Sequence, residues 1–541
     1  MGDARGGALV TAATRPAPTA TTATGRARRL RPVLLWLAAA VISGFTMRRY
    51  LEPFDEGLLM QGASRILDRQ WPYADFGWPY GPGQPVAVAG LSWLFEPSVA
   101  WWRLIRVAAD ATAALAAWAL VRPAAGDRWA LVAWLAAAVT VAQPTSANPF
   151  PVALAFALCA VLAAARGRPL VAALLAALAA FWRPDIGAVA ALAVVAALLV
   201  ADGPHRRRAG GIRPVLVAAV AAAGAAALLY LPFAVAAGPA TLWDELVGIA
   251  AGDGDLWRLP FPLDYDGPLR AWPPSALAED LKDVLGFYLP LVGLVLGVLV
   301  LVSQLRRRRP SPELAGVMVL AAGCVLYLLS RPDDLHAQPL IVCLCAAVPL
   351  AVARVPSTPA AARRAGPARA LRVALVAGLG LIVLAGAANR LSALLLPPDL
   401  EPVHLAGVPG IRVPPAEAAA LPRLVERVQR LVPPGEPIYV APRRSDLVTI
   451  SDPLIHFLVH RPNVLDRDVG VQALPEEQAA IVAALRDTRP KAIVRWTDPA
   501  SSKPEPNRRG RPSGSRELDS YLAAEYRLDG RYGAYDVLVP R

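Results

Sequence analysis

The stretch "EPFDEGLLMQGASRILDRQWPYADFGWPYGPGQP", Glu52 to Pro85, is a polar and aromatic island in a chain dominated by Ala, Leu and Val. Two carboxylates stand side by side at Asp55 and Glu56, Asp68 and Asp75 follow, and four aromatic rings lie between Trp71 and Trp78. It comes just after the first apolar segment. It is therefore either a solvated loop between membrane spans or the mouth of a site.

Composition identifies the solvent. The chain has 541 residues, of which 55% are hydrophobic. That is too apolar for a soluble globular protein of this size and places the chain in the membrane class. The formal net charge of +13 raises the question of nucleic acid. The arginines answer it, because they cluster in short runs between apolar segments, as cytoplasmic loops of membrane proteins do. No nucleic-acid partner is expected.

Apolar stretches of spanning or near-spanning length are read at 33–46, 99–121, 129–143, 149–165, 169–182, 185–201, 213–236, 284–304, 314–330, 335–353 and 371–389. These are about eleven spans. With the N-terminus placed in the cytoplasm and sides alternating, the inner segments collect Arg26 to Arg31, Arg122 and Arg128, Arg166 and Arg168, Arg206 to Arg213, Arg306 to Arg309, and Arg354 to Arg372. The short outer connections carry few basic residues, Arg183 and Arg331 being the exceptions. Hydropathy and charge thus predict one topology in a plasma membrane. An odd number of spans sends everything beyond about residue 397 outward.

The expected organisation is a cytoplasmic, disordered basic tail (1–32), a multi-pass membrane domain (33–396) with outer loops at 47–98 and 237–283, and an exported domain (397–541). The first span follows a basic tail without a convincing cleavage site and reads as an uncleaved anchor. In the last domain, "PAEAAALPRLVERVQRLV", "LPEEQAAIVAALRDT" and "SRELDSYLAAEY" have helical periodicity, whereas "PIYVAP", "KAIVRW" and "AYDVLVP" read as strands. The fold class is therefore mainly α, a polytopic transmembrane helix bundle with a small C-terminal α/β domain. Residues 501–515, "SSKPEPNRRGRPSGS", have the composition of a mobile insertion. The four cysteines all fall inside predicted spans, so no disulfide framework is expected.

Placed on this topology, the unusual polar residues gather at the outer ends of the spans: Asp55 and Glu56, "FWRPDIG" (Phe181 to Gly187), the 237–283 loop, and "SRPDDLHAQP" (Ser330 to Pro339). That sorting implies a polar cavity at one membrane face. Each feature also has a plain structural reading. Asp55 serves equally as a helix cap. The two Arg-Pro-Asp triplets serve as ion pairs at a turn, the rings at 71–80 as an interfacial belt, and Asp110 as an i,i+4 partner of Arg106. His456 and His460 are four apart but have no third ligand at helical spacing, and neither a metal nor another cofactor is expected.

The combination resembles the GT-C superfamily of integral-membrane glycosyltransferases, near the protein O-mannosyltransferase and aminoarabinose-transferase branch. The local likeness lies in the Asp-Glu pair directly after the first span, "DEGLLMQGASRILDRQWPYADF", continuing into "GPGQP". The layout of the whole chain is similar as well. The resemblance implies a polyprenyl-phosphate sugar as donor and a glycan, lipid or protein acceptor at the outer face, with transfer by inversion and a carboxylate general base. It implies Asp55 as the catalytic carboxylate, with Glu56 its neighbour. Arg331 and His336, then Arg183 and Arg258, are the candidates for the donor phosphate, with Asp185 and Asp333 supporting them. The alternatives are a transporter or lipid flippase, for which Asp110 is the main deep carboxylate and no inverted repeat is visible, and a non-catalytic glycan-assembly protein.

Overall fold

The computed structural model describes residues 21–201, 212–248, 254–262, 272–307, 310–354, 366–468 and 474–541. Each of the eleven apolar stretches falls on a helix. They are α1 (Thr21–Gly44), α4 (Val99–Val141), α5 (Phe150–Ala165), α6 (Pro169–Trp182), α7 (Pro184–Ala201), α8 (Arg213–Ala237), α9 (Pro274–Arg306), α10 (Pro312–Ser330), α11 (Asp334–Val352) and α12 (Gly366–Leu395). α4 carries two of the stretches and breaks at Gly126, whose φ of +83° only glycine adopts freely. Among the described residues, seven helices are long and apolar enough to cross a membrane by length and composition. α1 begins inside the stretch expected to be tail, and residues 1–20 lie outside the described residues.

Alanine and glycine set the packing. Ala153, Ala157, Ala160 and Ala164 are buried along α5, as are Ala190, Ala193 and Ala197 along α7. A Cβ on Gly187 would sit 2.2 Å from Ala180 of α6, and one on Gly323 of α10 would sit 2.1 Å from Val189 of α7. Without a hydrophobic driving force between helices in lipid, such close backbone approach and the contacts it permits supply the association. Large apolar side chains face outward instead, among them Leu228, Val235, Leu299 and Leu384.

Two further helices lie between α1 and α4, namely α2 (Asp55–Leu67) and α3 (Gly83–Leu94). The C-terminal residues form α13 (Pro415–Leu431), α14 (Leu454–Val459), α15 (Pro475–Thr488) and α16 (Glu517–Glu525), with a two-stranded ladder of β1 (Glu401–Pro402) and β2 (Arg412–Val413). A four-stranded sheet has the order β3 (Tyr439–Ala441), β4 (Ile493–Trp496), β6 (Tyr535–Pro540), β5 (Tyr526–Tyr532). β3 and β4 are parallel across the α15 crossover, and the other pairings are antiparallel. This is the small α/β domain expected, with β5 added. Residues 501–515 are anchored at points along their length, with Ser501, Ser502 and Ser513 buried and Leu447 bridging Pro512, while Lys503, Pro504, Pro506 and Arg508 are exposed.

The sheet domain docks on α2 through α14. A Cβ on Gly57 would lie 2.3 Å from the backbone nitrogen of Leu454, so only hydrogen fits there. Farther along α2, Arg65 pairs with Asp468 at 2.7 Å, both side chains buried, and donates to the Leu465 carbonyl. Gly57→Val is therefore expected to push α14 off α2 and cost about 1–3 kcal/mol, the usual range for overpacking. Faster proteolysis of the 443–468 segment in the purified variant would register it, and wild-type resistance would show that the contact is dispensable.

Candidate active site

The site is built from the ends of several helices that meet at one end of the bundle. α2 starts with Phe54 in the capping position, but the cap is supplied by Glu52, whose carboxylate accepts from the Phe54 and Glu56 amides at 3.1 and 2.7 Å. Asp55 is thus the first helical residue, and its carboxylate is spared the capping role. Burial pushes the Asp55 carboxyl above the usual carboxylate range, and the His336 and Arg331 charges pull it back only in part. Burial, then the Asp55 charge, also pushes Glu52 up to about 8.

Glu56 points elsewhere. It accepts Arg103 Nε at 2.8 Å and Nη2 at 2.7 Å, and both side chains are fully buried. Arg103 spends its remaining donors on the Met47 and Tyr50 carbonyls, each at 2.7 Å. Successive helical residues point about 100° apart, so the two adjacent carboxylates serve different places.

Arg183 lies between α6 and α7, and Arg331 lies between α10 and α11. Arg183 holds Asp185 through two bonds of 3.0 and 2.7 Å and stacks over Tyr80, Tyr327 and Phe150 at 5.2–5.7 Å. Burial works against the Arg183 charge, but Asp185 more than offsets it, and its pKa is raised. Arg331 donates Nε to Asp333 at 2.9 Å, Nη2 to Glu505 at 2.8 Å and Nη1 to the Trp257 carbonyl at 3.3 Å. Asp333 caps α11 and binds His336 Nδ1 at 2.7 Å. A carboxylate acceptor puts the proton on Nδ1 and leaves Nε2 free to act. The His336 ring packs on Tyr327, centroids 4.6 Å apart, so one tyrosine touches both the Arg183 and the His336 sides. The Arg258 side chain is exposed, although the neighbouring Trp257 carbonyl joins the Arg331 network.

The "GWPYGPGQP" turn brings Tyr80 to this place. A Cβ on Gly81 or Gly83 would lie 2.4 or 2.9 Å from the Phe181 carbonyl oxygen, so the two glycines let the turn press against the end of α6. Tyr73 donates its hydroxyl to the Tyr80 carbonyl at 2.5 Å, and Trp78 donates to Gly81 at 3.1 Å. Tyr73, Phe76 and Trp78 are buried; of the rings read as an interfacial belt, only Trp71 is largely exposed. Burial, then the Asp55 charge, raises the pKa of the Tyr80 hydroxyl.

Beside Arg183 and Asp185, an apolar cavity of about 620 Å³ lies among α6, α7 and α8, lined by Ala177, Pro184, Gly187, Ala191, Tyr230 and Trp243 among others. Asp110 pairs with Arg106 at 2.9 Å and accepts from Ser43 at 2.7 Å, which is the structural reading of that deep carboxylate. His456 is buried on α14, and its pKa is pushed down to about 4 by that burial. Among the described residues, no three His, Cys, Asp or Glu side chains gather as a metal-binding group.

The sequence reading did not single out Glu52, Tyr327 or Glu505. Arg331 lies in extended backbone and Glu52 precedes α2, so helical spacing gave no signal for Tyr327 or Glu52. Glu505 is 174 residues from its partner, and nothing local marks it.

The chain matches no family model and no curated protein sequence. It is similar in structure to ArnT from Cupriavidus metallidurans. The apo crystal structure of that protein gives a TM-score of 0.55 at 14% identity, and the crystal structure bound to undecaprenyl phosphate gives 0.53 at 16%. Both alignments cover 96% of this chain and 98% of the other. The chain therefore has the GT-C fold that the Asp55 stretch led us to expect.

Removing one partner of a buried ion pair strands the other charge, at a typical cost of about 3–5 kcal/mol. Glu56→Gln is expected to lose that much stability, and Glu56→Gln combined with Arg103→Met to recover part of it. Thermal unfolding in detergent measures both. A Glu56→Gln variant as stable as wild type would remove the pair from its structural role.

Proposed function

We propose that this chain transfers a sugar from a polyprenyl-phosphate donor to an acceptor at the extracytoplasmic membrane face, with inversion and with Asp55 as general base. The observation that carries the reading is the placement of Asp55. It is a half-buried carboxylate with a raised pKa, within Coulombic reach of Arg331 and His336, at the bundle end where an apolar cavity lies beside Arg183. The GT-C fold supports the same reading, as does the undecaprenyl phosphate bound to ArnT.

In this scheme the polyprenyl chain uses the apolar cavity, and the phosphate lies against Arg331 and His336. Arg183, already neutralised by Asp185, shapes the opposite wall with Tyr80 and Tyr327. The acceptor hydroxyl attacks the anomeric carbon from the side opposite the phosphate. Its proton passes to Asp55, the bond between the anomeric carbon and the phosphate oxygen breaks, and the electron pair leaves with the lipid phosphate. Arg331 and His336 meet the charge that develops there. A carboxylate with a raised pKa is the better base near neutral pH. Glu56 holds the base in place through Arg103 and takes no proton.

Asp55→Asn keeps size and removes proton acceptance. It is expected to lower turnover by on the order of 10²–10⁴, roughly 3–5 kcal/mol of barrier. The acid limb of the wild-type pH profile should lie above the usual carboxylate range, because rate appears only as Asp55 loses its proton. Lipid and glycan mass spectrometry of a deletion strain identifies the missing product. Complementation with Asp55→Asn should fail to restore it while the protein accumulates normally, and restoration to within about threefold of wild type would move the base to another carboxylate.

The arginine-poor side of the bundle carries the site, so the sheet domain faces outward in this reading. Ala480, exposed on α15, tests it. Ala480→Cys should react with a membrane-impermeant maleimide in intact cells. Labelling only after lysis would reverse the orientation.

A further inference from the structure

All three guanidinium nitrogens of Arg331 are occupied, one of them by a residue from the far end of the chain. Glu505 Oε2 sits 2.8 Å from Arg331 Nη2 and accepts from Asn507 at 3.0 Å, while Oε1 accepts from Arg509 at 2.8 Å. A carboxylate on a guanidinium edge presents oxygens much as a phosphate does. Two anions cannot share one N–H, so a phosphate that takes the Nη2 hydrogen now held by Glu505 must move Glu505 away.

We propose that Glu505 is a displaceable carboxylate that holds the donor-phosphate position on Arg331 while the site is empty and competes with lipid phosphate for it. The proposal rests on the reading of Arg331 as a phosphate contact.

The local structure makes the exchange inexpensive. Glu505 keeps Arg509 as a partner when it leaves Arg331, so no buried charge is stranded. Arg331 keeps Asp333 through Nε. The segment is tied down on both sides of Glu505, by Ile450 N–H to the Ser501 carbonyl at 3.1 Å and Gly510 N–H to the Val448 carbonyl at 2.9 Å. Between these anchors, Lys503, Pro504, Pro506 and Arg508 are exposed. Asn507 also donates to the Trp257 carbonyl at 3.1 Å, so an outward swing of the tip breaks that bond but none within the sheet. The strands of chain that anchor it, 448–450, lead directly into α14 and its seat on Gly57, two residues from Asp55.

The probe is undecaprenyl phosphate, titrated into the full-length protein in nanodiscs, with inorganic phosphate as a second arm. Glu505→Gln is expected to bind the lipid about tenfold more tightly than wild type, because a competing charge-assisted bond is gone. Arg509→Gln should act in the opposite sense and weaken binding, since Glu505 then loses its second cationic partner and keeps only the neutral Asn507 amide. Arg331→Ala should weaken binding about tenfold, and adding Glu505→Gln to it should change nothing further. Amide exchange in 502–510 of the wild type should accelerate when lipid is added.

A Glu505→Gln variant that binds as wild type or more weakly would overturn the proposal and leave Glu505 a structural buttress. So would 502–510 amides that slow or stay unchanged on lipid addition. Wild-type binding by Arg331→Ala would instead take down the phosphate reading itself, and the proposal with it. Competition by inorganic phosphate as strong as that of the lipid would overturn the assignment to a lipid donor.

Discussion

The buried ion pair between Glu56 and Arg103 is the constraint on which the rest of the site depends. Both side chains are fully out of solvent, where an unpaired charge would cost several kcal/mol. The pair is tolerable because the geometry is bidentate and the Met47 and Tyr50 carbonyls take the other guanidinium donors. It fixes the first turn of α2 against α4 in one rotation. Asp55 then has one direction left, about 100° around the helix, toward Arg331 and His336. Gly57 and Arg65 use the same orientation to seat the sheet domain, so Asp55 and the seat of the sheet domain share one helix.

The cations of the site arrive already paired, and by a repeated device. Arg183 and Arg331 each end a helix in extended backbone, with φ near −150°. Each is followed by proline, which ends the preceding helix by lacking an amide donor, and then by an aspartate two positions on that binds the guanidinium. The aspartate begins or caps the next helix, where a negative charge is favoured. Each arginine is thereby held rigid at a helix junction and largely neutralised. A junction built this way offers directed hydrogen-bond donors rather than excess charge.

The spans were legible because hydropathy and length act locally. The 149–165, 169–182 and 185–201 stretches coincide with α5, α6 and α7 to within a residue or two at each boundary. Strand β5 was not, although Tyr526, Leu528 and Tyr532 alternate with Arg527, Asp529 and Arg531, because it follows α16 without a break and its pairing with β6 decides where the helix ends. Asp55, Arg183, Arg331 and His336 could be gathered at one end of the bundle by alternation of sides alone. What each does there depends on partners far away in sequence. Glu56 reads as a twin of Asp55 until Arg103 is placed beside it, and residues 501–515 read as loose until Leu447, Ser445 and Arg331 are found against them.

The ion pair between Arg331 and Glu505 joins a helix junction to a residue near the end of the chain. Synthesis runs from the N-terminus, so Asp55, Arg183 and the apolar cavity are made and inserted long before the segment that closes the wall beside them. A half-made chain thus carries Asp55 and the apolar cavity but lacks the Glu505 partner of Arg331. Order of manufacture then matters: the hydrogen-bond network around Arg331 is completed only when the sheet domain has folded against it.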